Sequence, residues 1–241
     1  MPIYQLPKEF LFPHPEEAET EGILAVGGGL EPERLLLAYQ MGIFPWYDHN
    51  TPILWWSPDP RLLIYPKEVH VSKTLKRVLR SGKFRVSFDQ AFGQVIEACA
   101  VTKREGQEGT WILDEMVEAY TELHRQGYAH SVECWEEGVL VGGLYGISIG
   151  AAFFGESMFS HRPDASKTAL VYLCAQLDAW NFELVDCQVP TDHLKRMGAI
   201  EVPRRLFLEQ LGQALQQETR LGTWSFDLNQ DTLGLCFRKI D

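Results

Sequence analysis

The sequence of 241 residues predicts an α+β fold, and two patterns carry this prediction. From His130 to Trp135 the residues alternate with the period of two that is typical of strands, and the turn Glu136-Glu137-Gly138 joins this run to an apolar run over 139–146, which indicates a hairpin. A further strand over 151–156 completes a three-strand meander. On both sides of this meander, apolar residues recur at helical spacing. The first 63 residues are instead rich in Pro, Gly and Trp, so we predict a small N-terminal domain, 1–63, and a larger domain, 64–241.

Each element follows from a local signal. In the first domain a helix begins near Pro32 and ends at Gly42, because proline fits a first helical turn and glycine terminates a helix. Prolines then exclude a long regular element between 45 and 60 and predict a loop platform bearing aromatic residues. The second domain is predicted to contain, in order, strand 62–65, helix 72–81 capped by Ser72, strand 84–88, helix 89–101, helix 114–126 capped by Asp114, hairpin 130–146, strand 151–156, helix 165–180 capped by Asp164, strand 183–187, a short helix opened by Thr191, and helix 206–218.

The composition is that of a globular protein. Hydrophobic residues make up 45% and charged residues 23%, which excludes a disordered or fibrous chain. No apolar run approaches the roughly 18 residues of a membrane span, and the start lacks the pattern of a secretory signal. We therefore expect a soluble cytoplasmic protein with no membrane partner. The five cysteines form no CxxC pair and the histidines no HxxxH pair, so we expect neither a disulfide framework nor a metal.

Positive charge is concentrated in one segment of an acidic chain. The net charge is −11, yet residues 66–85 contain seven basic residues and one acidic residue. Spacing at i, i+3, i+4 and i+7 places four cations on one helix face, with a fifth just beyond: Lys73, Lys76, Arg77, Arg80 and Lys83. A solvated helix face is one interpretation. Repulsion along the stripe favours the other, a polyanionic partner.

Polar side chains at two predicted strand ends are the candidates for chemistry. Glu156 follows an apolar strand, where a carboxylate has a raised pKa or pairs with Arg or Lys. Asp186 and Gln188 are predicted to share one strand face, with capping or turn formation as the alternative. Cys187 with Asp192 and His193 is a less favoured nucleophilic set, because Cys187 is predicted to point the opposite way and buried cysteines are commonly inert.

The order of elements in the larger domain resembles the GNAT-type acetyltransferase architecture, in which an antiparallel meander precedes helix, strand and helix and the sheet splays to open a cleft. Acyl-CoA enzymes of this type have a Gly-rich pyrophosphate loop before the central helix. The corresponding junction, 160–167, contains no glycine. Acyl-CoA is therefore not expected as a cofactor.

Seven blocks of the sequence together resemble the leucyl/phenylalanyl-tRNA–protein transferase family. The similarity runs from about Leu24 to Arg205, and several blocks contain the rare residue Trp, so chance is a poor explanation. The blocks are GGL at 28–30, MGIFPW at 41–46, LWWSPDPR at 54–61, EGTWI at 108–112, GESMFS at 155–160, ASKTAL at 165–170 and DCQ at 186–188.

The resemblance implies a small N-terminal α/β domain and a GNAT-like domain with a mixed, mostly antiparallel sheet. It also implies transfer of Leu or Phe, and Met less well, from aminoacyl-tRNA to the N-terminal Arg or Lys of acceptor proteins, which marks them for degradation. Leu-tRNA, Phe-tRNA and the acceptor proteins would be the partners. Because an aminoacyl ester is already activated, the reaction needs positioning, proton removal and oxyanion support but no cofactor or metal.

Residue roles follow from this resemblance and the chemistry. We predict Asp186 as the general base or the residue that orients the attacking amine, Gln188 as partner of the ester carbonyl and Glu156 as a carboxylate that binds the acceptor. Trp46 and Trp111 would stack on the terminal adenosine of the tRNA, at about 1–3 kcal/mol each. The basic segment would hold the tRNA backbone. A pocket for the Leu or Phe side chain would be formed by Leu144, Phe153, Met158, Ser160, Leu173 and Val185.

Two other functions stay open at the level of the sequence. An N-acyltransferase on the same fold would use acyl-CoA, and a non-catalytic RNA-binding module would use only the basic helix and the tryptophans.

Overall fold

The computed structural model describes residues 3–102 and 112–228 and contains a small sheet and a large one. The small sheet has the strand order β1-β2-β4-β3, and helix α1 follows β2 in the chain. Strands β1 and β2 are parallel and the other pairs antiparallel. Its elements are β1 (Tyr4–Gln5), β2 (Ile23–Val26), α1 (Pro32–Gln40), β3 (Phe44–Pro45) and β4 (Leu54–Trp56).

The large sheet has seven strands in the order β11-β5-β10-β9-β8-β7-β6. Every neighbouring pair is antiparallel except β9 and β10, which are parallel. The strands are β5 (Arg61–Ile64), β6 (Arg85–Phe88), β7 (Ala129–Glu136), β8 (Val139–Ile149), β9 (Ala152–Ser160), β10 (Leu184–Asp186) and β11 (Ile200–Val202). An α+β fold with a mixed, mostly antiparallel sheet is thus confirmed.

Helices cover both faces of the large sheet, because its central strands bury apolar residues on both sides. Leu144 and Phe153 pack with α5, whereas Tyr145 and Phe154 pack with α3, α4 and α1. The helices are α2 (Lys73–Arg80), α3 (Phe92–Val101), α4 (Asp114–Arg125), α5 (Ala165–Ala179), α6 (Asp192–Arg196) and α7 (Arg204–Ala214), and 3-10 turns occupy Pro15–Glu17 and Pro66–Glu68.

Strands β9 and β10 separate, and this separation creates the site. They pair over only three positions, ending with Asp186 opposite Phe154. Beyond Asp186 the chain stays with β5: the N–H of Cys187 donates to the carbonyl of Leu62 (2.8 Å), and the N–H of Leu62 donates to the carbonyl of Gln188 (3.1 Å). Strand β9 meanwhile continues to Ser160. The predicted splay is present between these two strands.

Several predicted boundaries are wrong for physical reasons. The helix predicted from 89 begins at Phe92, because Asp89 has a positive φ of 53° and its carboxylate accepts from the N–H of Ser131 (2.8 Å). Neither Asp164 nor Asp114 caps a helix through its side chain; Asp164 is left-handed, and Asp114 lies inside α4. The last helix spans 204–214 rather than 206–218. The strand predicted over 151–156 runs to Ser160.

The domain boundary near residue 63 stays a prediction. Strand β5 crosses that position, so that Arg61 and Leu62 belong to the large sheet.

Candidate active site

A cavity of about 530 Å³ opens where β9 and β10 separate. Its walls are mostly apolar, and a few polar side chains gather at the split between the strands. Five of the six residues predicted for a side-chain pocket lie in its wall: Leu144, Phe153, Met158, Leu173 and Val185. Ser160 does not. It is exposed at the end of β9, where its hydroxyl donates to the carbonyl of Arg162 (2.8 Å) and accepts from the N–H of Ser166 (3.3 Å). The walls suit an apolar ligand group.

Glu156 is the carboxylate of this cavity. It lies on β9 just after the strand has lost β10 as a neighbour, and it accepts hydrogen bonds from the Tyr120 hydroxyl (3.0 Å) and the Gln188 side-chain amide (3.3 Å). Burial raises the pKa of its carboxyl to about 7, although the hydroxyls of Tyr39 and Tyr120 act to lower it. At neutral pH, Glu156 therefore exists in both protonation states.

Two buried tyrosines form a chain of hydrogen bonds to Glu156. The hydroxyl oxygens of Tyr39, on α1, and Tyr120, on α4, lie 2.5 Å apart, and the Tyr120 hydroxyl donates to the Glu156 carboxylate. Burial and the nearby Glu156 raise both tyrosine pKa values well above the usual range, so both hydroxyls stay protonated. Neither tyrosine was predicted from the sequence as a site residue, although each lies on the buried, largely apolar face of its helix. A tyrosine on such a face needs a partner for its hydroxyl, and that need was the available signal.

Asp186 is fully buried and does not line the cavity. Its two oxygens accept from Nε (2.8 Å) and Nη2 (2.6 Å) of Arg61, and one of them also accepts from the N–H of Gln188 (2.9 Å). The Arg61 guanidinium lies between the rings of Phe44 and Phe207, 4.9 and 4.5 Å from their centroids. The turn formation named above as the alternative describes the contact of Asp186 with Gln188, and no sequence pattern predicts the pairing of Asp186 with Arg61.

Gln188 and Cys187 both line the cavity, so the predicted alternation of side chains is wrong here. Strand β10 ends at Asp186, and Gln188 has a left-handed φ of 57°, which turns its side chain toward Glu156. The Cys187 thiol contacts the carbonyl of Val185 (3.8 Å), and burial raises its pKa well above the usual range. A nucleophilic cysteine needs the opposite shift.

Of the two tryptophans predicted to stack on adenosine, Trp46 lies at the cavity. It is half-buried rather than exposed, because its ring packs on Trp56 at 5.4 Å and its carbonyl accepts from the Trp56 indole N–H (2.6 Å). Trp111 lies outside the described residues.

The basic segment forms α2, with the predicted cap: the Ser72 hydroxyl accepts from the N–H of Leu75 (3.2 Å). Lys73, Arg77 and Arg80 are exposed, Lys76 is half-buried, and Leu75 is buried. Lys83 is exposed beyond the helix, 3.6 Å from Glu136.

Within residues 3–102 and 112–228, no helix is long and apolar enough to cross a bilayer. The same residues contain no group of three His, Cys, Asp or Glu side chains that could hold a metal ion.

The family models and the relatives that match this chain in sequence share one name. Two family models match the chain: leucyl/phenylalanyl-tRNA protein transferase N-terminal domain over residues 28–59, and leucyl/phenylalanyl-tRNA protein transferase over residues 63–212. The chain is 56% identical to a leucyl/phenylalanyl-tRNA–protein transferase of Anaeromyxobacter sp. (strain Fw109-5) over 234 residues, which cover 97% of this chain and 100% of that relative. It is 54% identical to a protein of the same name from Myxococcus xanthus (strain DK1622), over 93% of this chain and 97% of that relative.

Among solved structures, a GCN5-related N-acetyltransferase from Kribbella flavida matches 69% of this chain and 59% of its own at 11% identity and a TM-score of 0.37. A likeness this low carries no argument about chemistry.

Proposed function

The chain belongs to the leucyl/phenylalanyl-tRNA protein transferase family and is an aminoacyltransferase, and from this premise we propose its substrates. It transfers Leu or Phe, and Met less well, from aminoacyl-tRNA to the N-terminal Arg or Lys of acceptor proteins in the cytoplasm, which marks these proteins for degradation. The observation that carries this proposal is the cavity, which joins an apolar wall to a carboxylate with a pKa near 7.

The reaction balances without a further reactant. The neutral α-amine of the acceptor attacks the ester carbonyl carbon, a C–N bond forms, and the ester C–O bond breaks. The terminal ribose oxygen leaves with one proton, and the amine loses one. The aminoacyl ester supplies the driving force, so the protein has to align the two substrates and move a proton.

The apolar wall is proposed to receive the side chain of the transferred amino acid. Leu, Phe and Met are apolar and unbranched at Cβ, and a smaller Val would leave volume unfilled. One or two missing methylene groups in such a pocket cost about 1–3 kcal/mol. Phe153, Leu173 and Val185 belong to one apolar cluster that is continuous with the protein core, which keeps this wall rigid.

We assign the proton transfer to Glu156. It lines the cavity, whereas both oxygens of Asp186 are engaged by Arg61 in the interior. A carboxylate also attracts the ammonium form of the acceptor amine, so one group both binds the acceptor and accepts its proton. Asp186 then takes the orienting role: by accepting from the N–H of Gln188 it fixes the turn that presents the Gln188 amide to Glu156 and to the ester carbonyl.

The tRNA is proposed to lie across the cavity mouth. Trp46 and Trp111 offer aromatic faces to the terminal adenosine. Lys73, Lys76, Arg77, Arg80 and Lys83 contact backbone phosphates without reading the base sequence.

A single assay tests this function. The protein is incubated with Leu-tRNA labelled in the Leu moiety and with a peptide that begins with Arg, in the absence of ATP and acyl-CoA; a matched peptide that begins with Ala is the control. We expect label in the Arg peptide alone. Transfer that occurs only with acyl-CoA would contradict the proposal in favour of an N-acyltransferase, and tRNA retention without transfer would indicate an RNA-binding module.

A further inference from the structure

The segment 219–228 packs against the large sheet through a buried tryptophan. Trp224 is only 2% exposed although it follows the last helix in an irregular stretch of chain. Its ring stacks on the His130 ring, with 3.7 Å between the ring centroids and 7° between the ring planes, and three further aromatic rings surround it. These are Trp180 at 5.0 Å, Phe182 at 5.9 Å and Phe153 at 6.0 Å between ring centroids.

Polar contacts fix this segment in one position. The N–H of Trp224 donates to the Asp89 carboxylate (2.6 Å), and its indole N–H donates to the carbonyl of Arg220 (3.1 Å). Further along, the side-chain amide N–H of Gln176 donates to the Asp227 carboxylate (2.6 Å), and the backbone N–H of Asp227 donates to the side-chain amide oxygen of Gln176 (3.1 Å). Hydrogen bonds as well as packing therefore fix the position of Trp224.

Phe153 connects Trp224 to the cavity. Its side chain belongs to the cavity wall and also meets the Trp224 ring, tilted by 37°. Gly146 leaves the space for this ring, because a Cβ there would lie 2.6 Å from it. Backbone of Gly146 and the indole of Trp224 thus restrict Phe153, which cannot recede when a bulky group enters the cavity.

We propose that Trp224 is a positioning residue that sets the depth of the amino-acid pocket through Phe153, and thereby the preference between Leu and Phe. This inference rests on the proposed function. Trp224 has no part in aligning the amine or the ester, so its effect falls on the choice of amino acid.

The ratio of kcat/KM for Phe-tRNA to kcat/KM for Leu-tRNA tests the proposal. In W224L the ring of Phe153 gains room to move back, so the pocket deepens and Leu leaves volume unfilled. We expect the ratio to rise about 3- to 10-fold, a modest part of what one methylene group is worth in a pocket. W224F keeps an aromatic ring and is expected to shift the ratio less, in the same direction. F226L is the matched control, because Phe226 lies in the same segment but packs on Phe88 and Tyr172.

A merely structural role for Trp224 gives a different result, since partial unfolding lowers both kcat/KM values together and leaves their ratio unchanged. An unchanged ratio in W224F and W224L, or an equal shift in F226L, would overturn the proposal. If W224L fails to fold, the double variant W224F/F153L is compared with F153L. The change that W224F causes in the ratio of kcat/KM values must vanish once Phe153 is replaced. A wild-type protein that transfers neither amino acid overturns the proposed function as well as this inference, whereas wild-type transfer with an unchanged ratio overturns the inference alone.

Discussion

Two carboxylates lie at the split between β9 and β10, and they differ in what holds them. Asp186 is sealed in the interior against the Arg61 guanidinium, with contacts of 2.6 and 2.8 Å. Glu156 faces the cavity and is held by neutral donors, the Tyr120 hydroxyl and the Gln188 amide. A carboxylate paired with a guanidinium stabilises one arrangement of the chain. A carboxylate held by neutral donors is free to exchange a proton with a ligand. We therefore assign a structural role to Asp186 and the proton transfer to Glu156.

The largest expected effect is on stability, at the first of these sites. D186A leaves the Arg61 guanidinium buried between two aromatic rings without its counter-ion, and the free energy of unfolding is expected to fall by about 3–5 kcal/mol. E209A is the control, because Glu209 forms an exposed pair with Arg205 and should cost less than about 1 kcal/mol. Urea unfolding measures both. A loss for D186A no larger than that for E209A would contradict a structural role for Asp186.

At Glu156 we expect a substitution to raise the free energy of unfolding rather than to lower it. The pKa of Glu156 is raised to about 7 in the folded protein, from a value near 4.5 in the unfolded chain. The folded state therefore binds the proton more tightly, and stability declines as pH rises from about 4.5 to about 7. E156Q removes this penalty. At pH 8 it should be more stable than the wild type by about 2 kcal/mol, after allowance for the partial contact of Glu156 with solvent.

Urea unfolding of both proteins at pH 4.5 and pH 8 checks the sign. The difference between them should be small at pH 4.5 and reach its full size at pH 8, while other titrating groups cancel. An E156Q variant that is less stable at pH 8 would mean that Glu156 is a structural carboxylate like Asp186.

The smallest effect is expected for substitutions in α2, which contains neither carboxylate. These substitutions should leave Glu156 and Asp186 unperturbed. R77E/R80E should weaken the binding of every tRNA alike, by about tenfold, and reduce the slope of log affinity against log salt by about 2. R205E changes an exposed cation on α7 and serves as control. An unchanged slope would identify α2 as a solvated helix face.

The sequence predicted those features that depend on neighbouring residues. The Ser72 cap, the turn at 136–138 and the strand character of β7 and β8 are local features, so pattern and spacing were sufficient. Five residues predicted for the side-chain pocket lie in the cavity wall, and they belong to β8, β9, β10 and α5, elements that local patterns predicted.

Other features required the folded chain. Arg61 and Asp186 are 125 residues apart, and no local signal joins them. The left-handed φ of Gln188 ends the alternation from which the side-chain directions of Asp186, Cys187 and Gln188 were predicted. Asp164 has the right side chain for a cap and the wrong backbone, again a left-handed φ, so residue type alone misassigned it.

We assign to Glu156 the proton of the attacking amine, and the pH dependence of single-turnover transfer to an Arg peptide measures this role. The amine of the peptide titrates too, at about 7.7–8.0, so the quantity to follow is the ratio of the wild-type rate to the E156Q rate, in which the amine cancels. We expect this ratio to rise through pH 7 and to level off at about 100 or more, the order expected of a general base. A ratio that stays constant between pH 5.5 and 9, or remains below about 3, would contradict it.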